Sequence, residues 1–152
     1  MREILFKAKR VNWESLPKEE WWVEGYYYKT YGCRNGIKSD AHFIHNYEDD
    51  EDYKIDPETI CQYTGLTDKN GRKIFEGYIV KFKHGGEFIK KGIYFRNYAV
   101  EFINTFVTYG LRLRNKSIHF PFKQATVSMH DVEVIGNIFD NPELLENREA
   151  AE

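Results

Sequence analysis

Alternation of apolar and polar positions is the main pattern along this chain, and it predicts β-strands rather than helices. Residues 78–83 show it most clearly, because Val80 and Phe82 fall on one face of a strand. Lys81 and Lys83 fall on the opposite face. The same pattern predicts further strands over residues 2–9, 20–30, 41–45, 60–63, 73–75, 88–96, 98–107, 111–116 and 132–139. The chain is therefore predicted to be mainly β, with minor α content.

The predicted strand over residues 98–107 differs from the others because both of its faces are apolar. Tyr98, Val100 and Phe102 alternate with Ala99 and Ile103. A strand of this kind is normally central in a sandwich or barrel, or it lies in a subunit interface.

Glycine and asparagine mark most of the predicted turns. Asn70-Gly71 is the strongest signal, because it supplies the positive-φ positions of a tight hairpin between the strands at 60–63 and 73–75. Gly25 interrupts the strand at 20–30, which indicates a bulge or a close approach of another backbone. Residues 48–52 are five consecutive acids and predict a solvated loop.

The C-terminal region predicts a short helix. Asn141 stands before Pro142, and these residue types suit the cap and the first position of a helix. Glu143 then places an acid in the first turn, where it suits the helix dipole. The helix is predicted to fray after about residue 147.

Composition supports a folded, β-rich protein. Aromatic residues make up 16% of the 152 positions, and they favour half-buried strands. A hydrophobic fraction of 41% excludes a disordered chain, and no apolar run is long enough to span a membrane. The first residues lack the apolar region of a secretory signal, and Cys33 and Cys61 show no metal-binding spacing. A soluble, cytoplasmic protein with free thiols is expected.

The charge is distributed unevenly, although the net charge is only −2. Residues 69–123 carry a net charge of +9, and the rest of the chain carries −11. Alternation gives two sets of exposed cations, which neighbouring strands would join into a basic stripe. The basic stripe consists of Lys81, Lys83, Arg112, Arg114 and Lys116. Such a stripe with interleaved aromatic residues can hold nucleic acid, or it can simply be the solvated side of half-buried strands.

The sequence contains no residue spacing that indicates catalysis or metal binding. His42 and His45 are three positions apart, which sends them to opposite faces of a strand. The acidic run at 48–52 lacks the glycine and final glutamate of a calcium loop, and no nucleophile-elbow, zinc-protease or P-loop motif occurs. The sequence thus predicts no catalytic residue, no cofactor and no metal ion.

Four segments resemble the YopX family, small proteins encoded by phages and prophages of Gram-positive bacteria. They are residues 2–10 (REILFKAKR), 56–66 (DPETICQYTGL), 68–80 (DKNG running into IFEGYIV) and 134–145 (VIGNIFDNPELL). One departure is that Gly77 is followed by Tyr78, where the family usually has aspartate, so this turn must be stabilised in another way.

The resemblance implies an SH3-like small barrel in the C-terminal half, packed with a β-rich N-terminal half and followed by a short helix. The corresponding parts are residues 1–65, 66–140 and 141–152, within one YopX-like unit. No activity and no residue roles come with the resemblance, and a bacterial host cytoplasm is implied as the location.

Three functional hypotheses follow from these observations. The leading one is a non-enzymatic phage accessory protein that acts through protein contacts and forms a homo-oligomer, because oppositely charged segments can pair between subunits. The second is a nucleic-acid-binding module that uses the basic stripe. The third, an enzyme, lacks a convergent set of acids, bases or nucleophiles.

Overall fold

The computed structural model describes residues 3–86, 90, 92–103, 108–113, 116–118 and 122–146. These residues form eleven strands, one short α-helix and several 3-10 turns, so the prediction of a mainly β protein is confirmed. The chain divides into two units, Met1–Tyr63 and Thr64–Glu152.

The first unit is an antiparallel sheet with the strand order β4-β3-β2-β1-β5. Its strands are β1 (Phe6–Lys9), β2 (Trp22–Arg34), β3 (Ile37–Asn46), β4 (Glu51–Lys54) and the first part of β5 (Cys61–Thr67). 3-10 turns lie at Trp13–Ser15, Lys18–Glu20 and Pro57–Thr59. Its core is formed by Ala8, Val23, Ile44 and Ile55, all buried. The acidic run was predicted to be a loop, but its last two residues belong to β4, where they pair with β3.

Gly25 lies where the backbones of β2 and β3 approach closely. Of the two predicted alternatives, a bulge or a close backbone approach, the structure shows the second. A β-carbon at this position would lie 1.9 Å from the carbonyl oxygen of His45. Only glycine can occupy such a position without moving the neighbouring backbone.

Lys9 is a buried cation enclosed by tryptophan rings in the first unit. Its ammonium nitrogen lies 4.0 Å from the ring centroid of Trp13, 4.8 Å from that of Trp21 and 5.7 Å from that of Trp22. Trp13 and Trp21 also meet edge to face, with their centroids 4.7 Å apart. Cation–π attraction offsets part of the cost of removing the ammonium group from water.

β2 and β3 form a hairpin much longer than the sequence pattern predicted. The strands were expected to end at residue 30 and to begin again at residue 41, whereas pairing continues to Arg34 and Ile37. Asn35 and Gly36, with φ of 55° and 75°, form the two-residue turn. Residues 31–40 are exposed on both faces, so no buried side imposes the alternation by which strands are recognised.

The second unit contains an antiparallel sheet with the strand order β10-β9-β8-β7-β11. Its strands are β7 (Tyr78–His84), β8 (Tyr94–Ile103), β9 (Thr108–Leu113), β10 (Lys116–Ile118) and β11 (Glu133–Asn137). β6 (Lys73–Phe75) pairs with β5 where β5 enters this unit. Among the described strands β10 and β11 remain separate edges, so the sheet is open and an SH3-like barrel is not confirmed.

β8 replaces two of the predicted strands. Residues 88–96 and 98–107 were assigned to separate strands, but Tyr94–Ile103 is continuous and lies between β7 and β9. Tyr98, Ala99 and Val100 are buried in succession, so both faces of β8 are covered in this part, and its place between β7 and β9 agrees with the central position that was one of the two predicted alternatives. Residues 87–89, 91 and 104–107 lie outside the described residues.

The predicted hairpin between β5 and β6 is present, but its turn is not the predicted one. Of the two residues Asn70 and Gly71, only Gly71 has a positive φ, of 79°. The turn is organised by the buried carboxylate of Asp68, which accepts hydrogen bonds from the backbone N–H groups of Asn70 and Arg72, each at 2.9 Å. The same carboxylate accepts a bond of 3.0 Å from the N–H of Val134 and so ties the turn to β11.

The turn at Gly77, which Tyr78 follows, is stabilised by backbone hydrogen bonds. The N–H of Gly77 donates to the carbonyl of Val100 at 2.8 Å, and its own carbonyl accepts from the N–H of Ile138 at 2.9 Å. The positive φ of 79° at Gly77 makes this geometry accessible.

Two short helical segments lie near the end of the chain. The predicted C-terminal helix is a 3-10 turn at Pro142–Leu145, and the side chain of Asn141 does not cap it but accepts from the N–H of Asn137. α1 (Gln124–Met129) was not predicted, because only Val127 of its six residues is buried and no helical periodicity results.

Candidate interaction surfaces

The described part of the basic stripe lies on one face of the second sheet. Lys81 is paired with Asn97 and Ala99 with Arg112, and paired residues project to the same side. Because side chains alternate along each strand, Lys81, Lys83 and Arg112 share that side.

The other two residues of the basic stripe are placed differently from the prediction. Residues 111–116 do not form a single strand, because β9 ends at Leu113 and β10 begins opposite it at Lys116. Arg114 and the side chain of Lys116 lie outside the described residues.

Carboxylates accompany each described cation of the basic stripe. The shortest N–O distance is 3.5 Å for each of three pairs, namely Lys81–Glu133, Lys83–Asp131 and Arg112–Glu101. Exposed pairs of this kind contribute little to stability. They do reduce the positive potential of this face, which carries charges of both signs.

A cluster of rings joins β7, β8 and the end of α1. His84 Nε2 lies 3.0 Å from the hydroxyl oxygen of Tyr98, and the His84 ring stacks on Tyr94 at a centroid distance of 5.2 Å. The ring of His130 lies 5.2 Å from that of His84. His130 Nδ1 lies 3.0 Å from the carbonyl oxygen of Lys83, so this nitrogen carries the proton and donates. His84 therefore belongs to a packed cluster at the end of β7 and not merely to the turn that follows it.

Burial lowers the pKa of His84, and the nearby His130 and Arg96 lower it further. The unfolded chain therefore takes up a proton at this position at a higher pH than the folded chain does. The free energy of unfolding should be largest above the ordinary histidine pKa of 6.5 and should fall as the pH drops below it. The fall should end once His84 is protonated in the folded state as well.

This pH dependence can be assigned to His84 by comparing the protein with His84→Gln. Urea unfolding between about pH 8 and pH 5.5 should give a shallower stability profile for the variant, because the titrating group is gone. The other histidines contribute equally to the pH dependence of both proteins. The contribution of His84 is therefore the difference between the two stability profiles. Identical slopes would show that His84 does not titrate differently on folding.

The distal part of the β2–β3 hairpin is the most exposed segment of the first unit. We call residues 26–34 and 37–42, together with their turn, the arm. Pairing of β2 with β1 stops at Gly25, and pairing of β3 with β4 starts at Phe43. No other described strand pairs with the arm, which extends for about 30 Å at the usual rise per residue.

One side of the arm and its base carries most of the aromatic rings. The pairs Tyr26–His45, Tyr28–Phe43 and Arg34–Ile37 project to this side, which we call the aromatic face. The rings of Tyr28 and Phe43 stack at a centroid distance of 5.3 Å. Tyr47, just beyond β3, meets Tyr26 edge to face at 4.1 Å. At the far end Ile37 is 72% exposed, and on the opposite side Tyr31 is 78% exposed.

Charge is separated along the hairpin. The base carries the acidic run, residues 48–52, where the ring nitrogens of His45 lie 3.5 Å from Asp50 and 3.0 Å from Asp52. The tip carries Arg34 and Lys38, and no described carboxylate lies within salt-bridge distance of either. Between them, Lys29 and Asp40 form a close pair at 2.8 Å. The hairpin is thus negative at its base and positive at its tip.

The two histidines of β3 lie on opposite faces, as their spacing predicted. His42 Nδ1 is 2.7 Å from the hydroxyl of Tyr27, whereas His45 contacts the acidic run. They cannot ligate one metal ion together, and within the described ranges no group of three or more metal-ligating side chains occurs.

Sequence reasoning missed the arm, although one signal could have found it. Asn35-Gly36 is the dipeptide that most favours a two-residue hairpin turn. Its flanking residues lack apolar–polar alternation, so the sequence pattern does not extend the predicted strands to this turn.

Comparison with known proteins gave one family match and one structural neighbour described here. A family model described as "YopX protein" matches residues 13–146. The crystal structure of protein EF1440 from Enterococcus faecalis aligns with a TM-score of 0.53 and 21% sequence identity, covering 95% of this chain and 99% of that chain. This likeness concerns the fold alone. No curated protein matched the chain.

Within the described residues, no helix combines the length and the apolar character that crossing a membrane requires.

Proposed function

Because the chain belongs to the YopX family, whose model matches most of its length, we propose that it is a non-enzymatic accessory protein of a phage or prophage. It acts through protein–protein contacts and associates with itself. The arm is the surface that makes these contacts.

The observation that carries this proposal is the exposure of large apolar side chains on an isolated two-stranded hairpin. Such a hairpin is marginally stable in water by itself, and a surface that gathers large exposed apolar side chains is typical of an interaction site. Tyr26, Tyr28, Tyr31 and Ile37 are all exposed. Tyrosine and arginine are also the residue types that dominate binding energy at protein interfaces.

The histidine cluster supports a structural rather than a catalytic role for these side chains. His84 is hydrogen-bonded to Tyr98, and His130 donates to a main-chain carbonyl. Both rings pack against Phe82, at centroid distances of 5.9 and 5.3 Å. These contacts hold the end of β7 against the end of α1.

Light scattering coupled to size-exclusion chromatography tests self-association. At micromolar concentration we expect a mass that is a multiple of the 18.1 kDa chain. A mass of one chain over the whole accessible concentration range would overturn self-association.

A shortened arm provides the matched control for this measurement. Residues 31–40 are replaced by Asn-Gly, which joins Thr30 to Ala41. This pair has the same position in the ladder as Arg34–Ile37, so the new turn keeps the geometry of the present one. The variant should elute as a single chain with its sheet content otherwise retained.

Nucleic-acid binding by the basic stripe is the second candidate. The alignment of Lys81, Lys83 and Arg112 on one face favours it, while the adjacent carboxylates oppose it. This candidate function requires that the protein binds DNA or RNA. The logarithm of its binding constant should fall linearly with the logarithm of the salt concentration. The candidate function also requires that charge reversal at Arg112 and Arg114 abolishes binding. Calorimetric titration that detects no binding at low salt would remove this candidate.

A further inference from the structure

We propose that two copies of the chain pair through their arms in an antiparallel, two-fold arrangement, with the aromatic faces in contact and the basic tip of each arm against the acidic base of the other. This inference rests on the proposed self-association and names the partner, the face and the orientation.

The length of the aromatic face allows this arrangement. The Tyr26–His45 pair marks the base and the Arg34–Ile37 pair marks the tip. Eight residues of strand separate the two pairs, or about 26 Å. Two such faces laid antiparallel bring the tip of each over the base of the other along the whole length.

Charge complementarity selects a second copy as the occupant. Arg34 lies at the tip of the aromatic face without a described salt-bridge partner, and Asp50, which contacts His45 at the base of this face, has 93% of its side chain exposed. Asp52 lies on the same face, opposite His45. One chain therefore carries both halves of the complementary pair, and a two-fold axis satisfies both at once, because residue i then meets j while j meets i. A foreign partner would need to reproduce the same separation of charge.

The apolar contacts agree with the same orientation. Ile37 of one copy would cover Tyr26 and Tyr47 of the other, which are 45% and 56% exposed. A parallel arrangement would instead place tip against tip and base against base, and like charges in contact disfavour it. The face opposite to the aromatic one carries Lys38 at its tip, but its central charges are already paired, at Lys29 and Asp40, and it lacks the stacked Tyr28–Phe43 pair.

A charge-swap experiment tests the arrangement. The tip variant is Arg34→Glu, and the base variant is Asp50→Lys. Each variant alone has like charges at both contacts, so sedimentation should show a dissociation constant raised by about tenfold or more. An equimolar mixture of the two should restore association, because tip and base then have opposite signs at both contacts.

A matched variant and the outcome for the unaltered protein separate the two proposals. Lys123→Glu makes the same charge change as the tip variant at an exposed position outside the arm and should leave the mass unchanged. If the protein self-associates but neither the tip nor the base variant weakens it, arm pairing is wrong and self-association stands. Weakening without restoration in the mixture would also overturn the antiparallel arrangement. A protein that is a single chain throughout overturns both proposals.

Discussion

Replacing Gly25 with alanine should destabilise the first unit by about 3 kcal/mol or more, a cost at the upper end of that for overpacking a core. The added β-carbon would meet the carbonyl oxygen of His45 at 1.9 Å and its carbonyl carbon at 2.7 Å. Both atoms belong to the backbone, so no side-chain rotation relieves the contact. β2 and β3 would have to separate at the base of the hairpin, where Val23 and Ile44 contribute to the core.

Gly32→Ala is the matched control, since it makes the same change in the same strand. There the nearest atom to the added carbon is Ser39 Oγ at 2.9 Å, which is on a side chain that can rotate away. Amide hydrogen exchange measured by NMR should show lost protection in the first unit for Gly25→Ala and near-normal protection for Gly32→Ala. Equal stability of the two variants would show that the close approach at Gly25 does not constrain the hairpin.

Phe82→Ala should destabilise the second unit by about 3–5 kcal/mol, as is typical when a fully buried ring is removed. Phe82 is completely buried on β7. Its ring packs against Tyr98, His130 and Phe122, with centroid distances of 5.0, 5.3 and 6.0 Å. Its removal would leave a cavity between β7, β8 and the end of α1.

Phe95→Ala serves as the comparison, because this ring on β8 is 58% exposed. It should cost less than about 1 kcal/mol, since little buried surface is lost. Urea unfolding followed by circular dichroism gives both values. A loss below about 1 kcal/mol for Phe82→Ala would mean that the ring is not part of the core that stabilises this unit.

Strands with a buried face could be predicted from the sequence, and strands without one could not. β7 was found because Val80 and Phe82 are buried while Lys81 and Lys83 are not. The distal hairpin is exposed on both sides, so its residues follow no apolar period. α1 escaped prediction for a related reason, because a six-residue helix with one buried side chain produces no periodicity.

The candidate surfaces were predictable only in part, because charge pairing depends on contacts between distant residues. Lys81 and Lys83 were recognised as exposed cations, but Glu133 and Asp131 are about fifty positions away along the chain. β9 ends at Leu113 and β10 begins opposite it at Lys116, so two strands share a run of alternating residues that contains no glycine or proline. Local alternation therefore gave the correct exposure of Lys81 and Lys83 on β7, but not the surface that the strands form together.

The three tryptophan rings around Lys9 make it possible to follow the first unit separately by fluorescence. All three tryptophans of the chain lie at positions 13, 21 and 22, and none lies in Thr64–Glu152. Intrinsic tryptophan fluorescence therefore reports on the first unit alone, while a backbone signal reports on both. If the two signals change at different denaturant concentrations, the units unfold as separate cooperative blocks, and a single free energy of unfolding does not describe the chain.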